Sequence, residues 1–354
     1  MMGNFFEDLC VSLSGWRDPC LEVKMKRLQQ HIFPAISALA WMVLMAAFAA
    51  VPARASDDGH FDRTLSVSGA VDLDVQTGSG NITIHTGDSS KVEVHAKIHA
   101  SRWHDSDVEA RIKAIEDNPP IEQNGNTIRI GNLIDHEKQR NISISYELTV
   151  PAQTKLHASS GSGDVSAEGV AGPAEATSGS GTISLTSIGG GVDAHTGSGD
   201  VNLKDIHGGA RAKSGSGTIH AMGIGGAFTA STGSGDIRLE ESAPGDVDLE
   251  TGSGSVEVRG VKGGVHATSG SGNVSAEGDP TGDWKLRTGS GDVTVKFPQE
   301  AKFDVAAHTS SGSIDSQHEM TVQGKISQRE LHGKVNGGGV LVDLSTGSGS
   351  IAIR

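Results

Sequence analysis

The chain has 354 residues, 29 basic and 43 acidic side chains for a net charge of −14, 49 glycines, 4% aromatic and 35% hydrophobic residues. The acidic balance repels phosphate backbones and argues against a nucleic-acid partner. The apolar content is low for a conventional globular core yet too high for a disordered chain, which leaves a thin core of small apolar residues built by repetition.

In chain order, Lys26 and Arg27 precede an apolar run from Ile32 to Val51 that closes on Ala53-Arg54-Ala55. Residues 25–55 thus read as a signal peptide with a small-x-small cleavage site. Residues 1–24 have mixed polarity, hold both cysteines (Cys10 and Cys20) and read as a misannotated N-terminal extension, with Met25 as the start. The competing reading is a retained membrane anchor; against it, Pro34 interrupts the run and about 18 apolar positions is short for a span. Cleavage after Ala55 leaves 24 basic against 39 acidic residues, a net charge of −15, and no cysteine. Neither a disulfide framework nor a thiolate metal site is then available, and no membrane span remains. The expected location is exported: the periplasm, or the cell surface and extracellular space.

Residues 56–155 predict N-terminal strands and a capping segment. Leu73 and Val75 precede Gly78, and Ile82 and Ile84 follow it, a spacing that returns later as the repeat. Val92, Val94, Ala96 and Ile98 alternate as a strand. Ser106-Asp107-Val108-Glu109 reads as a capping box opening a short helix over 106–116, with Val108, Ile112 and Ile115 at helical spacing. Asn124-Gly125 between Ile121 and Ile128 marks a hairpin, and Ile142, Ile144, Tyr146, Leu148 and Val150 alternate up to Pro151.

Residues 156–316 carry the repeat. With the first glycine of each Gly-Ser-Gly as position 0, it falls at Gly161, Gly179, Gly197, Gly215, Gly233, Gly252, Gly270 and Gly289, with Ser310 as a degenerate ninth, every 18 or 19 residues until the last. Position −5 reads Leu156, Ala174, Val192, Ala210, Phe228, Val247, Val265, Trp284 and Val305, and position −3 is mostly alanine. Position +4 is Val or Ile throughout, and +6 is apolar up to Val295. A period of two within each half means strand. Each coil therefore contributes two short strands with one buried face, and the interspersed Ser, Thr, Asp, Glu, Lys, Arg and His go to solvent. Glycines recur at −7 and +2, where the reading assigns them to reversals needing positive φ. Equivalent strands stacked one repeat apart give two parallel sheets, nine coils at about 4.8 Å each. The alanine column implies close approach of the sheets, so enlarging Ala194 is expected to do more harm than changing His195.

Residues 317–354 form a C-terminal cap and last coil: 317–340 break register, and Val342 and Leu344 before Gly347, with Ile351 and Ile353 after it, restore it. The fold class is all-β, a parallel β-solenoid (β-helix) of about 18 residues and two short strands per coil, with a small N-terminal β-rich cap holding one short helix.

His195-Thr196-Gly197-Ser198-Gly199-Asp200-Val201, and Leu148-Thr149-Val150-Pro151 before the array, resemble a bacterial family known as "putative adhesin", an exported domain of β-strand repeats ending in Thr-Gly-Ser-Gly-Asp-Val. The resemblance covers roughly residues 65–354. It implies an envelope-associated or surface β-solenoid serving adhesion or envelope stress, with no catalytic residues to carry over.

Rival chemistries were weighed on residues. A calcium β-roll would need carboxylates in every coil, but position +3 reads Asp164, Thr182, Asp200, Thr218, Asp236, Ser255, Asn273, Asp292 and Ser313, so the clearest carboxylates are about 9 to 10 Å apart. Turn capping by short polar side chains is the plainer role. A polysaccharide-active β-helix enzyme could use His195, Lys213, Glu250, Arg287 and His308, which share position −2, yet Ser159, Thr177, Ser231 and Thr268 share it too, and long catalytic loops are missing. His95 and His99 lie on one strand face about 13 Å apart, too far for one zinc ion. Sequons at Asn81, Asn141 and Asn273 match a solvent-face composition. No catalytic, cofactor-binding or metal-ligating residue is assigned and no cofactor is expected. The function expected is a non-enzymatic exported structural or interaction protein, an adhesin-like solenoid of the cell envelope whose partner is an envelope protein or a glycan; the lyase-like enzyme and the calcium roll are the alternatives.

Overall fold

The computed structural model describes residues 58–100, 106–131, 141–242, 244–322 and 327–354. The leader 25–55 and the extension 1–24 lie outside the described residues. Short apolar–polar alternation dictates strands, and 29 of them form two sheets, beside a helix at Ser106–Asp117. One sheet, here the minus sheet, collects the strands that precede each Gly-Ser-Gly corner; the plus sheet collects those that follow.

Stacking is in register at one repeat. In the minus sheet Ala176 pairs in parallel with Ala158 on one side and Ala194 on the other. In the plus sheet Leu185 sits between Ala167 and Leu203. The four apolar columns are buried without exception from Leu73 to Val295, so the sheets' inner faces form one continuous core. Each Val, Ile or Leu removed from water there stabilises by about 1.5–3 kcal/mol before chain entropy is counted.

The expectation that Ser and Thr go to solvent fails at position −1. Ser160, Ser178, Thr196, Ser214, Thr232, Thr251, Ser269, Thr288, Thr309 and Thr346 are all buried. Parity explains this: −5, −3 and −1 share the inner face. Each hydroxyl donates to the carbonyl of the +2 glycine in the neighbouring coil, as Ser178 does to Gly163 at 2.9 Å, Thr232 to Gly217 at 2.9 Å and Thr288 to Gly272 at 2.7 Å. Several also accept from their own +2 amide, Gly181 N–H donating to Ser178 Oγ at 2.8 Å. A ladder of satisfied hydroxyls thus runs down the corner, each worth about 1 kcal/mol and costing more if left unpaired.

The glycines of the corner serve a different purpose from the one expected. Among Gly163, Gly181, Gly199, Gly217, Gly235, Gly254 and Gly272 none has a left-handed φ. A Cβ on any of them would instead collide with the +2 backbone of the coil below, on Gly181 with the carbonyl of Gly163 and on Gly217 with that of Gly199. Most −7 glycines are likewise crowded by neighbouring backbone, Gly208 with 2.7 Å to Gly190 C. Close stacking demands them, and the expected positive φ holds only at Gly80, Gly291, Gly312 and Gly349 of the +2 column, with φ of 136°, 156°, 158° and 151°, and at Gly263 of the −7 column, with 157°.

The left-handed residue lies at the opposite corner, position +8: Gly169, Ser187, Asp205, Gly223 and Gly260 have φ of 78°, 55°, 53°, 69° and 67°. That one residue shifts parity, so Thr186 pairs Lys204, residue +8 is skipped and Ile188 pairs Ile206. A further apolar column follows at +9, where Val170, Ile188, Ile206, Ile224 and Val261 are buried.

Both outlying copies of the repeat join the stack. Val71–Thr77 and Ile82–Thr86 pair with Thr154–Ser160 and Val165–Glu168. Beyond them the minus sheet ends in the hairpin of Ile121–Asn124 and Thr127–Ile130, whose two-residue loop is Gly125-Asn126, and the plus sheet in Ile142–Val150, Lys91–Ala100 and Asp58–Ser66. The helix packs on that outermost strand, where Gly59 leaves room for Ile112. With Val71–Thr77 and Val340–Ser348 added to the nine of residues 156–316, the minus sheet holds eleven stacked coil strands among the described residues. At this end the order differs from the sequence: Val340–Ser348 lies between Trp284–Ser290 and Phe303–Ser311. Met320–Val322 and Glu330–Val335 cover the last strand of the minus sheet.

Candidate functional site

Every inward column is committed to packing or to the hydroxyl ladder, so chemistry is confined to the outer faces. The +3 side chains belong to the scaffold as well. Asp164 Oδ1 accepts from Thr182 N–H at 2.8 Å, Asp200 Oδ1 from Thr218 N–H at 2.8 Å and Asp236 Oδ1 from Ser255 N–H at 2.9 Å, so each caps the next coil and not its own turn. Asn81 and Asn273, two of the three sequon asparagines, do the same to Asp164 and Asp292; Asn141, the third, holds a left-handed φ of 64°.

The −2 residues do not converge. His195 and Lys213 are partners on adjacent strands, Glu250 lies two strands further between Ser231 and Thr268, Arg287 bonds Asp343 at 3.1 Å, and His308 sits between Ser345 and Glu330. His95 is 2.7 Å from Asp62 on the neighbouring strand, and His99 faces the same side as His95. Among the described residues no group of three His, Cys, Asp or Glu side chains could hold a metal ion. Titration behaviour is scattered in the same way. Burial pushes the Tyr146 phenol well above its usual range. Asp88 is held low by the Ser90 amide, Lys91 is raised by Glu93, and Asp304 is held low chiefly by the Lys334 ammonium. Asp88 and Lys91 act on each other at the N-terminal end, where Tyr146 is buried on the adjacent strand, and Asp304 lies at the opposite end of the stack; each shift has a local cause, which is not the pattern of an active site.

Positions −4 and −6 of the minus sheet carry what the −2 column lacks. A shallow groove of about 500 Å³ runs across the strands from Thr127 to Asp193, with Pro173, Ala174 and Gly191 in its lining. Its charges pair across strands: Lys155 is 4.0 Å from Asp72, His157 is 3.2 Å from Glu175, and Arg211 beyond it is 3.6 Å from Asp193, while Glu175 and Asp193 stand side by side in register. Arg129 at the other end has no ion-pair partner among the described residues and faces Asp74 in register. Such half-exposed pairs contribute at most about 1 kcal/mol each to stability. Their use is as a pattern of charge. No sequence signal marked this groove, because −4 and −6 hold ordinary surface residues until the stack brings five strands side by side.

On the plus sheet, Asn202, Lys204, His220 and Met222 occupy adjacent coils. His220 Nε2 is buried with no hydrogen-bond partner. All described aromatic rings, Phe61, Tyr146, Phe228, Trp284, Phe297 and Phe303, are buried, so none is presented for stacking on a sugar ring. No helix among the described residues is long and apolar enough to cross a membrane.

The family model described as Toastrack DUF4097 matches residues 70–354. Among solved structures, a "putative adhesin" from Bacteroides fragilis is 13% identical, with 83% of this chain and 97% of that one covered and a TM-score of 0.30. A "putative cell adhesion protein" from Clostridium sporogenes is 12% identical, covering 84% and 98%, at 0.22. A "putative lipid binding protein" from Parabacteroides distasonis is 13% identical, covering 84% and 97%, at 0.39. No curated protein matches the chain significantly.

Proposed function

The chain belongs to the Toastrack DUF4097 family, and from that premise we propose a non-enzymatic, exported interaction protein of the bacterial envelope. Residues 25–55 would direct export and be removed, 56–155 and 317–354 would close the two ends, and 156–316 would present the working surface.

The observation that carries this reading is the division of labour inside each coil. Among the described residues the inner positions and the corners are occupied by packing and hydrogen bonding between coils, while the charged groups stand on the outer faces, paired across neighbouring strands along a shallow groove. A flat face of paired opposite charges favours recognition of a complementary polar surface over turnover of a small substrate. With no Phe, Tyr or Trp ring exposed among the described residues, the partner favoured is an envelope protein, bound at the groove from Arg129 to Asp193.

The test is retention of the tagged full-length chain by envelope fractions, compared with a triple charge reversal Arg129→Glu, Lys155→Glu, Glu175→Lys. Cell fractionation of the same strain locates the protein. Loss of retention with unchanged circular dichroism, weakening further with salt, supports the proposal. Retention that is indifferent to groove charge, or a protein that stays in the cytoplasm, defeats it. Turnover of an envelope polysaccharide that these substitutions abolish would return the enzyme reading, and a chelator-sensitive fold would return the calcium reading.

A further inference from the structure

From Thr154 to Lys296 sequence order and stacking order agree, and beyond Lys296 they part. Val340–Ser348 pairs in parallel with Trp284–Ser290 on one side and Phe303–Ser311 on the other, and Ile351–Ile353 lies in the same way between Val293–Lys296 and Ile314–Ser316. The final segment of the chain is therefore inserted one coil in from the end, and every backbone ladder joining the last coil to the array passes through it.

The insertion is made by an arch. Glu330–Val335 runs antiparallel along the outer side of Phe303–Ser311, and Val340–Ser348 runs parallel along its inner side, so that Phe303 is the partner of both Val335 and Val340. Asn336-Gly337-Gly338-Gly339 crosses over the strand between them. Its first three residues have φ of 49°, 93° and 87°, a left-handed run that ordinary residues do not sustain. The arch is tied down by a few polar contacts. Asn336 Nδ2 donates to the carbonyls of Gln299 at 2.8 Å and Ala301 at 3.0 Å, and the Asp304 carboxylate accepts from Lys334 Nζ at 3.0 Å and Gly339 N–H at 3.2 Å.

We propose that residues 340–354 are an exchangeable coil: the arch opens as a hinge, and the segment fills the equivalent slot of a second copy of this chain, giving a reciprocal dimer joined at the C-terminal ends. The slot selects its occupant closely. It takes Val342 and Leu344 into the core, requires a hydroxyl where Thr346 donates to Gly291 O at 2.8 Å, and requires glycine at Gly347 and Gly349, where a Cβ would meet the backbone of Gly289 and Gly291. It also offers Asp292 Oδ1 to the Ser350 amide at 2.8 Å. The terminal segment of another copy meets each of these conditions with the same atoms, so exchange forfeits no contact beyond the arch and is opposed mainly by the entropy of joining two chains. The arch is the link between Glu330–Val335, which stays on the outer side of Phe303–Ser311, and the segment that lies on its inner side.

Ala306 and Asp343 are partners on the two strands concerned. In a Cys10→Ser, Cys20→Ser background, Ala306→Cys with Asp343→Cys links a chain to itself when the coil is at home and links two chains when it is exchanged. Light scattering over a range of concentrations, before and after refolding from denaturant, gives the mass, and native mass spectrometry of mixed heavy and light isotopic batches detects hybrids. The expected result is a dimer whose share rises with concentration, mixed-isotope dimers after refolding, and disulfides between chains confined to the dimer fraction. Deleting Gly337 and Gly338 makes the arch too short to straddle the strand and should turn the dimer from minority to majority. A dimer whose disulfides all lie within single chains would overturn the proposal, as would a protein that stays monomeric throughout. If the deletion variant does not fold, the crosslink in the full-length arch decides.

Discussion

The two corners of each coil solve the same problem, reversing the chain, by opposite means. At the Gly-Ser-Gly corner the coils touch backbone to backbone, so glycine at 0 and +2, a hydroxyl at −1 and a short oxygen-bearing side chain at +3 recur almost without change. At the other corner a single left-handed residue turns the strand, and Gly169, Ser187, Asp205, Gly223 and Gly260 fill that place in turn. A position constrained by its neighbour in the next coil is uniform; one constrained by its own dihedral angles tolerates several residues.

The contrast is sharpest within one coil. Gly217→Ala should drive a methyl into the Gly199 carbonyl and destabilise by roughly 3 kcal/mol or more, whereas Gly223→Asn, where the nearest atom is Asp205 Oδ1 at 3.0 Å, should cost about 1 kcal/mol or less. Denaturant unfolding of both variants checks this, and equal losses would break the comparison. Next in size, Ala194→Leu should cost about 1–3 kcal/mol by forcing the sheets apart, while the exposed neighbour His195→Ala should stay within about 0.5 kcal/mol. Thr232→Val keeps the shape but leaves the Gly217 carbonyl unpaired, an expected loss of about 1–3 kcal/mol, with hydrogen exchange rising first at that corner. Smallest of these, Ser187→Gly should stabilise slightly, by about 0.5 kcal/mol, because relief at φ 55° outweighs the added freedom of the unfolded chain.

Acid bears on the arch. Asp304 has its pKa lowered in the fold, so its contribution is present above the ordinary value of 3.8 and is lost as pH falls below it. Asp304→Asn should therefore flatten the acid limb of the unfolding curve, measured by circular dichroism against pH.

Much of this architecture is legible in the residues, for a physical reason: a solenoid stacks like on like, so Val165, Ile183 and Val201 announce their common environment by recurring. What escaped is equally specific. The column through Ile188 and Ile206 is hidden because Ser187 and Asp205 break the period of two. The buried hydroxyls of Thr196 and Thr232 carry residue types common on surfaces. The place of Val340–Ser348 cannot be read from its text, since the repeat names its kind of neighbour and not which coil that is. The groove on the minus sheet exists only once Arg129 and Asp193, far apart in sequence, share one face.

The hydroxyl ladder also has a direction. From Ser160 to Thr288 each side chain donates toward a coil already synthesised, Ser160 to Gly80 and Thr288 to Gly272. A chain emerging N-terminus first can therefore add coils one at a time, each new turn finding its acceptor waiting. Thr309 breaks the sequence of events, because it donates to Gly349, which emerges forty residues later. Vectorial assembly can run to the coil of Trp284 and must then wait until residues 340–354 have emerged, so the last two coils set together.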